Sequence, residues 1–217
     1  MNLEKARFNM IEQQVRPWNV LDASVLELLT VVKREDFVPL AHKSLAFSDL
    51  EIPLPGGQCM LAPRLEARLL QDLAIQPTDT VLEIGAGSGY MAALLAHRAH
   101  RVVSLEIVPE LAKMARDNLR NAGVQNAEVR QADGADPVAA EGTYDAILLS
   151  GSVAEVPHTL LSLLKVGGRL AAIVGEEPVM RATFVTRTSD TAFRTVQTWD
   201  TCAPRLQHFP EPSGFQF

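Results

Sequence analysis

The chain has 217 residues, of which 47% are hydrophobic and 21% charged, values typical of a globular protein with a buried core. Its net charge of −6, without any basic run, argues against a nucleic-acid-binding surface. The sequence starts without the apolar core of a signal peptide, and no segment approaches 18 uninterrupted apolar residues, so we expect no membrane insertion. Because Cys59 and Cys202 can form at most one bridge, we expect a reducing, cytoplasmic location.

The N-terminal part is predicted to be helical. Residues 3–14 are polar and helix-permissive, and Pro17 is expected to end this helix. Asp22 can cap a second helix, whose apolar residues recur at helical spacing and form a face toward the main body. Residues 47–63 are rich in Pro and Gly but too apolar for a free linker, so they are predicted to form an ordered loop, followed by a helix over 63–74. The apolar face of the second helix comprises Leu21, Val25, Leu28, Leu29 and Val32.

Residues 81–90, VLEIGAGSGY, combine a buried strand, a glycine turn and the start of a helix. Glycine has no Cβ and tolerates positive φ, so a ligand can approach the backbone, and the helix start offers unpaired N–H groups. Gly85, Gly87 and Gly89 are spaced GxGxG, which differs from the GxGxxG of dinucleotide-binding proteins. Glu83 would repel a pyrophosphate but suits a cationic ligand or an ammonium group. A turn that only packs a strand against a helix is the alternative.

After the turn, strands and helices alternate, as is typical of a parallel sheet covered on both faces. Strands are predicted at 101–106, 127–133, 144–152 and 169–175, and helices at 90–97, 109–122 and 156–164, with a turn at Gly167 and Gly168. Two further segments, ATFVTRTS and AFRTVQTWD, are predicted to form an antiparallel hairpin. Glu106 ends its strand in a position to accept two hydrogen bonds from a ribose. Together with the glycine turn, it resembles the S-adenosylmethionine site of class I methyltransferases.

The segments before the turn resemble the protein-L-isoaspartate O-methyltransferases. The series KREDFVP (33–39), FSD (47–49) and IPLPGGQCMLAP (52–63) follows that family's order: an RxxFVP-like segment, a Tyr-x-Asp and a Pro/Gly loop ending in Gln-Thr-Ile-Ser-x-Pro. The resemblance covers roughly residues 20–175. It implies an α/β, Rossmann-like class I methyltransferase fold: a mostly parallel seven-stranded sheet with helices on both faces, and an N-terminal helical extension. We divide the chain into that extension with the active-site loop (1–62), a cofactor-binding domain (63–200) and a C-terminal tail (201–217).

The resemblance also implies S-adenosylmethionine as the cofactor and a set of site residues. Asp133 and Gly134 match the family's Asp-Gly at the adenine, where an Asp can accept from the exocyclic amine; a turn-forming Asp-Gly is the local alternative. The implied cofactor-binding residues are Glu83, Gly85, Ala86, Gly87, Ser88, Gly89, Tyr90, Glu106, Ile107, Asp133, Gly134 and Ser150. The implied acceptor-side loop contributes Asp49, Gln58, Cys59, Met60 and Leu61.

Two positions depart from the family pattern. Leu61 stands where the family places a serine hydroxyl beside the methyl acceptor, so no catalytic residue is assigned. Phe47 replaces the usual tyrosine. We predict no metal site, since His97 and His100 have no carboxylate or cysteine at ligand spacing.

Three functions are compatible with these features. The first is methylation of isoaspartyl peptides or proteins, as the resemblance implies. Leu61 motivates a second, methylation of another, apolar small-molecule acceptor, and a third, a cofactor-binding interaction protein that has lost catalysis. We expect a monomer or homodimer with no nucleic-acid partner. The tail is predicted to be a flap over the site or an arm packed on the body or on a neighbouring subunit, and the packing role is favoured.

Overall fold

The computed structural model describes residues 2–211, apart from the side chain of Pro137. The last part of the predicted tail, 212–217, therefore lies outside the described residues. None of the described helices is long and apolar enough to cross a membrane. The α-helices are α1 Leu3–Met10, α2 Ala23–Val31, α3 Pro63–Leu73, α4 Tyr90–Ala96, α5 Pro109–Asn121 and α6 His158–Leu161. A π-helical stretch, Ile11–Val15, continues α1, and short 3-10 helices occupy Arg16–Trp18, Arg34–Asp36, Leu40–Leu45, Pro55–Gly57 and Pro137–Ala140.

Seven strands form one sheet, as predicted. A separate two-stranded hairpin pairs β1 Ile52–Pro53 with β2 Cys59–Met60. The strands of the sheet are β3 Thr80–Ile84, β4 Arg101–Glu106, β5 Ala127–Gln131, β6 Tyr144–Val153, β7 Leu164–Glu176, β8 Val179–Arg187 and β9 Phe193–Thr201. Their order is β5-β4-β3-β6-β7-β8-β9, parallel from β5 to β7 and antiparallel from β7 to β9. The predicted antiparallel hairpin is therefore confirmed as β8 and β9.

The central strands are buried on both faces because their side chains alternate between two cores. In β6, Ala146 and Leu148 lie in the larger core, which also contains apolar residues of α2 to α5. Ile147 and Leu149 lie in the second core, which, among the described residues, is covered by α6, the 3-10 helix Pro137–Ala140 and other short segments. The carboxyl ends of β3, β4, β5 and β6 meet at one edge of the sheet, where ligands of open α/β sheets bind.

The cap of α2 is as predicted, but one residue of its apolar face is not. The Asp22 side chain accepts a hydrogen bond from the Ser24 N–H at 2.8 Å, which satisfies one of the free donors of the first turn. Leu21 precedes this cap and is 65% exposed, because it lies outside the helix whose periodicity suggested an inward position. The apolar face of α2 therefore begins at Val25.

The region before β7 also differs from the prediction. The helix expected over 156–164 is limited to α6, and β7 begins at Leu164, ahead of the predicted turn. Tyr144 pairs with Leu164 and Ala146 with Arg169, so three extra residues of β7 bulge between these pairs. Gly167, with φ of 85°, lies in this bulge. The two glycines thus form an irregularity within the strand rather than a turn before it.

Candidate active site

The glycine turn links β3 to α4 and depends on left-handed backbone. Gly85, Gly87 and Gly89 have φ of 91°, 53° and 85°, values that side chains with a Cβ rarely adopt. A Cβ on Gly89 would lie 3.1 Å from the backbone of Ala115, so this glycine lets α4 pack closely on α5. Gly87 faces the other way, toward Leu54 of the β1–β2 hairpin.

Most of the turn's backbone N–H groups are already used within the protein. The N–H groups of Gly85 and Ala86 donate to the Leu105 carbonyl at 2.8 and 3.2 Å, and that of Gly89 donates to the Ala86 carbonyl at 2.8 Å. These three N–H groups precede α4, so the unpaired N–H groups expected at the helix start are not among them.

Glu106, at the end of β4, is the main acceptor group beside the turn. One carboxylate oxygen accepts from the Gly87 N–H at 2.8 Å and the other from the Val108 N–H at 2.9 Å. A carboxylate oxygen can accept two hydrogen bonds, so each retains capacity for a ligand hydroxyl. The carboxylate lines the cleft above the turn and is fixed in orientation by the two N–H groups.

Glu83 is buried at the end of β3, below the turn. Its carboxyl group accepts hydrogen bonds from the hydroxyls of Ser104 at 2.5 Å and Ser150 at 2.8 Å. Burial raises the pKa of Glu83 to about 7, although both hydroxyls oppose that shift. The expectation that Glu83 carries a full negative charge beside the ligand therefore changes, because burial favours its protonated form. Sequence reasoning identified Ser150 but missed Ser104, which lies within the neighbouring strand.

Asp133 lies just beyond β5, at the same edge of the sheet. Its Oδ1 accepts from the Ala135 N–H at 2.9 Å, which forms the turn, and its Oδ2 lies 2.6 Å from His208 Nδ1. Gly134 packs so closely on Ile84 that a side chain there would clash. The Asp-Gly forms a turn, as the local alternative predicted, and it also lines the cleft, while its role at the adenine stays a prediction.

The acceptor hairpin, residues 52–62, forms one wall of the cleft. Its strands pair Ile52 with Met60 and Pro53 with Cys59, and the Leu54 N–H donates to the Gln58 carbonyl at 2.8 Å. Leu54 packs against the glycine turn at Gly87. The predicted ordered loop thus contains a small hairpin that packs against the glycine turn.

Leu61 is held from below by a buried arginine. Arg34 donates a hydrogen bond from Nη2 to the Leu61 carbonyl oxygen at 2.7 Å, forms an ion pair with Glu66 of α3, and lies over the Tyr90 ring at 5.1 Å. Arg34 has no exposed surface and Leu61 is 5% exposed. One side chain therefore joins the acceptor hairpin, α3 and the first residue of α4.

Two other predicted loop residues have different surroundings. Burial, with a smaller contribution from Glu51, raises the pKa of the Cys59 thiol to about 12, so this thiol stays protonated. Asp49 forms an ion pair with Arg64, whose guanidinium lies 4.3 Å from the Trp18 ring centroid. Asp49 is thus placed among the N-terminal elements rather than in the cleft.

The strap, residues 203–209, closes the opposite side of the cleft. It runs beside the end of β6, where the Ser152 N–H donates to the Pro204 carbonyl at 2.7 Å and the Leu206 N–H donates to the Ser152 carbonyl at 2.9 Å. Leu206 packs over Gly85 and Gly151. Plain packing was the favoured prediction for this tail; its described part packs on the body and also lies over the site. Its apolar composition was the only sequence signal for this position.

These elements enclose a cleft and, beneath it, a smaller cavity. The cleft holds about 520 Å³ of empty space, partly open to solvent, within the range of small-molecule sites. It is lined by Gln58, Cys59, Ile84, Gly85, Gly87, Leu105, Glu106, Ile107, Leu111, Asp133, Gly134, Ser150, Leu206, Gln207 and Phe209. The cavity is lined by Cys59, Met60, Leu61, Glu66, Glu83, Gly85, Ala86, Gly87, Ser88, Tyr90, Met91 and Ser150. Cys59, Gly85, Gly87 and Ser150 line both, so the cleft and the cavity meet between the glycine turn and the hairpin.

Comparison with known proteins identifies the family to which this chain belongs. The family model for protein-L-isoaspartate(D-aspartate) O-methyltransferase matches residues 5–202. The protein-L-isoaspartate O-methyltransferase of Methanoculleus marisnigri is 41% identical over 171 residues, 79% of this chain and 78% of that protein. The enzyme of the same name from Koribacter versatilis is 37% identical over 185 residues, 85% of this chain and 82% of that protein.

A solved structure confirms the fold. A Plasmodium falciparum protein assigned to the same enzyme class, in complex with S-adenosyl-L-homocysteine, superposes with a TM-score of 0.80 at 20% identity, covering 95% of this chain and 99% of that one. The predicted Rossmann-like class I methyltransferase fold is therefore confirmed. With its family match and its relatives, the chain belongs to the protein-L-isoaspartate O-methyltransferase family.

Proposed function

We propose that this chain transfers a methyl group from S-adenosylmethionine to the side-chain carboxylate of isoaspartyl residues in peptides and proteins. Family membership supports the reaction class. The observation that carries the proposal is the placement of two strand-end carboxylates, Glu106 and Asp133, around one cleft that also contains the glycine turn. This donor set fits an adenosine, which offers two ribose hydroxyls and an exocyclic amine as hydrogen-bond donors.

The chemistry of these carboxylates supports the fit. Glu106 has each oxygen oriented by one backbone N–H, and its remaining capacity matches the two neighbouring hydroxyls of a ribose. Asp133 lies one strand further along the sheet and has the same remaining capacity for the amine of adenine. Gly85 and Gly87 line the cleft without a Cβ, so the backbone of the turn borders the bound ligand.

The cofactor, when bound, supplies an electrophilic methyl group on a sulfonium. The task of the protein is to hold an acceptor oxygen about 3 Å from that methyl carbon and in line with it. A carboxylate is already a nucleophile, so the chain needs no general base. The acceptor hairpin and the strap form two sides of the cleft in which these groups meet.

Leu61 favours a second candidate, methylation of a different, less polar acceptor. Leu61 and Met60 both line the cavity that meets the cleft, and neither side chain can donate a hydrogen bond to an acceptor carboxylate. An apolar small molecule would pack against these side chains without that cost. A third candidate, an interaction protein that binds the cofactor without catalysis, follows from the same residue.

The first experiment separates cofactor binding from turnover. S-adenosylhomocysteine binding is measured by calorimetry for the wild type and for Glu106→Gln, with Glu110→Gln, an exposed residue of α5, as the matched control. We expect Glu106→Gln to weaken binding by at least about tenfold, because an amide group must oppose one of the two N–H donors. Equal binding by all three proteins would refute the assignment of the cleft.

The second experiment tests the acceptor. Tritiated methyl transfer to an isoaspartyl peptide is expected, with the matching aspartyl peptide as control. Tight cofactor binding without transfer to this peptide would reject isoaspartyl repair, and methylated products in a small-molecule extract would then favour the second candidate. Binding with neither product would favour the third. We further propose a cytoplasmic protein that acts on damaged proteins as a monomer or homodimer; its two free thiols support a reducing location.

A further inference from the structure

His208 is the strap residue that contacts the proposed adenine-binding carboxylate. It has φ of 64°, a left-handed conformation that turns its side chain toward Asp133, and its Nδ1 lies 2.6 Å from Asp133 Oδ2. The His208 side chain is 63% exposed and that of Asp133 is 35% exposed. The contact therefore lies at the solvent-facing rim of the cleft, where it can form and break without disturbing a core.

The contact has a defined chemistry. An ionised aspartate only accepts hydrogen bonds, so His208 must carry a hydrogen on Nδ1. The Asp133 oxygens then accept one bond each, from the Ala135 N–H and from His208, and each retains one acceptor position. His208 and an adenine amine can thus bind the carboxylate together, and the imidazole fixes the orientation in which the carboxylate meets the amine.

The same residue is tied to the closure of the strap. On one side of it, Leu206 packs over Gly85 and is bonded to Ser152 through its backbone. On the other side, Phe209 is 6% exposed in the second core. Leu206 and Phe209 also line the cleft, so a strap in this position covers a ligand bound there. The contact between His208 and Asp133 therefore links the proposed adenine-binding end of the cleft to the strap that covers it.

We propose that His208 is a positioning residue for the cofactor: it orients Asp133 toward the adenine amine and holds the strap closed over the bound cofactor. This inference rests on the proposed function, since it takes the cleft to be the cofactor site. Opening of the strap then precedes exchange of the product, S-adenosylhomocysteine, for a new cofactor.

The test uses the full chain and the product as ligand. His208→Ala removes the contact, His208→Asn keeps a side-chain N–H donor, and His158→Ala, at an exposed histidine that begins α6, is the matched control. Affinity and dissociation rate are measured for S-adenosylhomocysteine and for S-inosylhomocysteine, which has a carbonyl in place of the amine. Hydrogen exchange of the Leu206 amide, which the strap closure protects, is followed with and without ligand.

We expect His208→Ala to bind S-adenosylhomocysteine about tenfold more weakly, with the change mainly in a faster dissociation rate. Its discrimination against S-inosylhomocysteine is expected to fall, its Leu206 amide to exchange faster in the bound state, and His208→Asn to recover most of the affinity. If His208→Ala binds S-adenosylhomocysteine as tightly as the wild type does, this inference is overturned and the proposed function stands. If the wild type binds neither S-adenosylhomocysteine nor S-inosylhomocysteine, both this inference and the proposed function are overturned.

Discussion

Arg34 and Leu61 are joined by a 2.7 Å hydrogen bond from a guanidinium N–H to a backbone carbonyl, across 27 residues of sequence. The same guanidinium forms an ion pair with Glu66, and both charged side chains are buried, with 0% and 5% of their surface exposed. The position of the acceptor hairpin therefore depends on a buried ion pair between Arg34 of the N-terminal extension and Glu66 of α3. Leu61, which lacks the hydroxyl that the family has at this position, is held through its backbone carbonyl.

Replacing this arginine is predicted to destabilise the protein strongly. Arg34→Met leaves Glu66 buried without its cation, a change that costs about 3–5 kcal/mol in comparable pairs. Arg34→Lys keeps the charge but cannot reach both Glu66 and the Leu61 carbonyl, so we expect a smaller loss of stability together with a slower methyl transfer. Urea unfolding and transfer assays measure the two effects.

The exposed pair of Arg16 and Glu12 supplies the control. These residues lie one helical turn apart at the surface, where ion pairs contribute little. Arg16→Met is therefore expected to leave the unfolding midpoint almost unchanged. An equally small change for Arg34→Met would contradict the role given to the buried pair.

Leu61→Ser tests whether the missing hydroxyl limits the proposed reaction. The serine would place a hydrogen-bond donor beside the acceptor, so we expect faster transfer to an isoaspartyl peptide and unchanged affinity for S-adenosylhomocysteine. The substitution also removes a buried side chain, which costs roughly 2–5 kcal/mol when leucine is truncated to alanine. Both measurements are made well below the melting temperature of the variant.

Leu61→Ala is the matched control, because it removes the same volume without adding a hydroxyl. The isoaspartyl turnover of Leu61→Ser is expected to exceed that of Leu61→Ala. Equal turnover by the two variants would mean that the effect arises from space in the cavity, and would favour an acceptor pocket reshaped for another molecule.

The parallel part of the fold was predictable because local signals determine it. VLEIGAGSGY contains the strand, the turn and the helix start in one segment, and the Glu106 strand was predicted with the bounds that the structure has. The cap at Asp22 and Pro63 at the start of α3 were equally local signals. Where structure depends on neighbouring residues alone, the sequence was sufficient.

Contacts between distant segments were not predictable. Ser104 reaches Glu83 only because β3 and β4 pair in one particular register, and His208 reaches Asp133 across 75 residues. The bulge before Arg169 depends on pairing with β6, so its glycines looked like an ordinary turn. Leu21 fitted the helical periodicity but lies outside the helix, since the cap at Asp22 decides where the helix begins.

The raised pKa of Glu83 predicts a pH dependence of stability. Its folded-state pKa of about 7 lies above the ordinary glutamate pKa of 4.5, so between these values the folded protein holds a proton that the unfolded chain has released. The free energy of unfolding is therefore expected to fall as pH rises from about 4.5 to 7, by on the order of 3 kcal/mol from this group, and to level off above that range.

Glu83→Gln cannot titrate and removes this contribution. We expect the difference in unfolding free energy between wild type and variant, measured in urea at several pH values from 5 to 8, to decline toward high pH. Glu27→Gln, at an exposed position of α2, is the matched control for the substitution itself. Parallel pH profiles for the wild type and Glu83→Gln would show that the buried carboxyl titrates normally.

Gly151→Ala is predicted to displace the strap. A Cβ at this position would lie 2.8 Å from Leu206 Cγ and Cδ2 and 3.0 Å from the Pro204 carbonyl oxygen, so the strap must shift away from the end of β6. We expect the Leu206 amide to exchange faster and S-adenosylhomocysteine to dissociate faster than in the wild type. Hydrogen exchange followed by mass spectrometry and stopped-flow displacement measure the two changes.

A second substitution tests the steric cause. Leu206→Ala alone removes a wall of the cleft and is expected to weaken binding, whereas Gly151→Ala with Leu206→Ala relieves most of the clash because the new methyl group occupies space that the leucine has left. The combined loss of affinity is therefore expected to be smaller than the sum of the single losses. Additive losses would mean that Gly151 acts on the cofactor site by a route other than contact with Leu206.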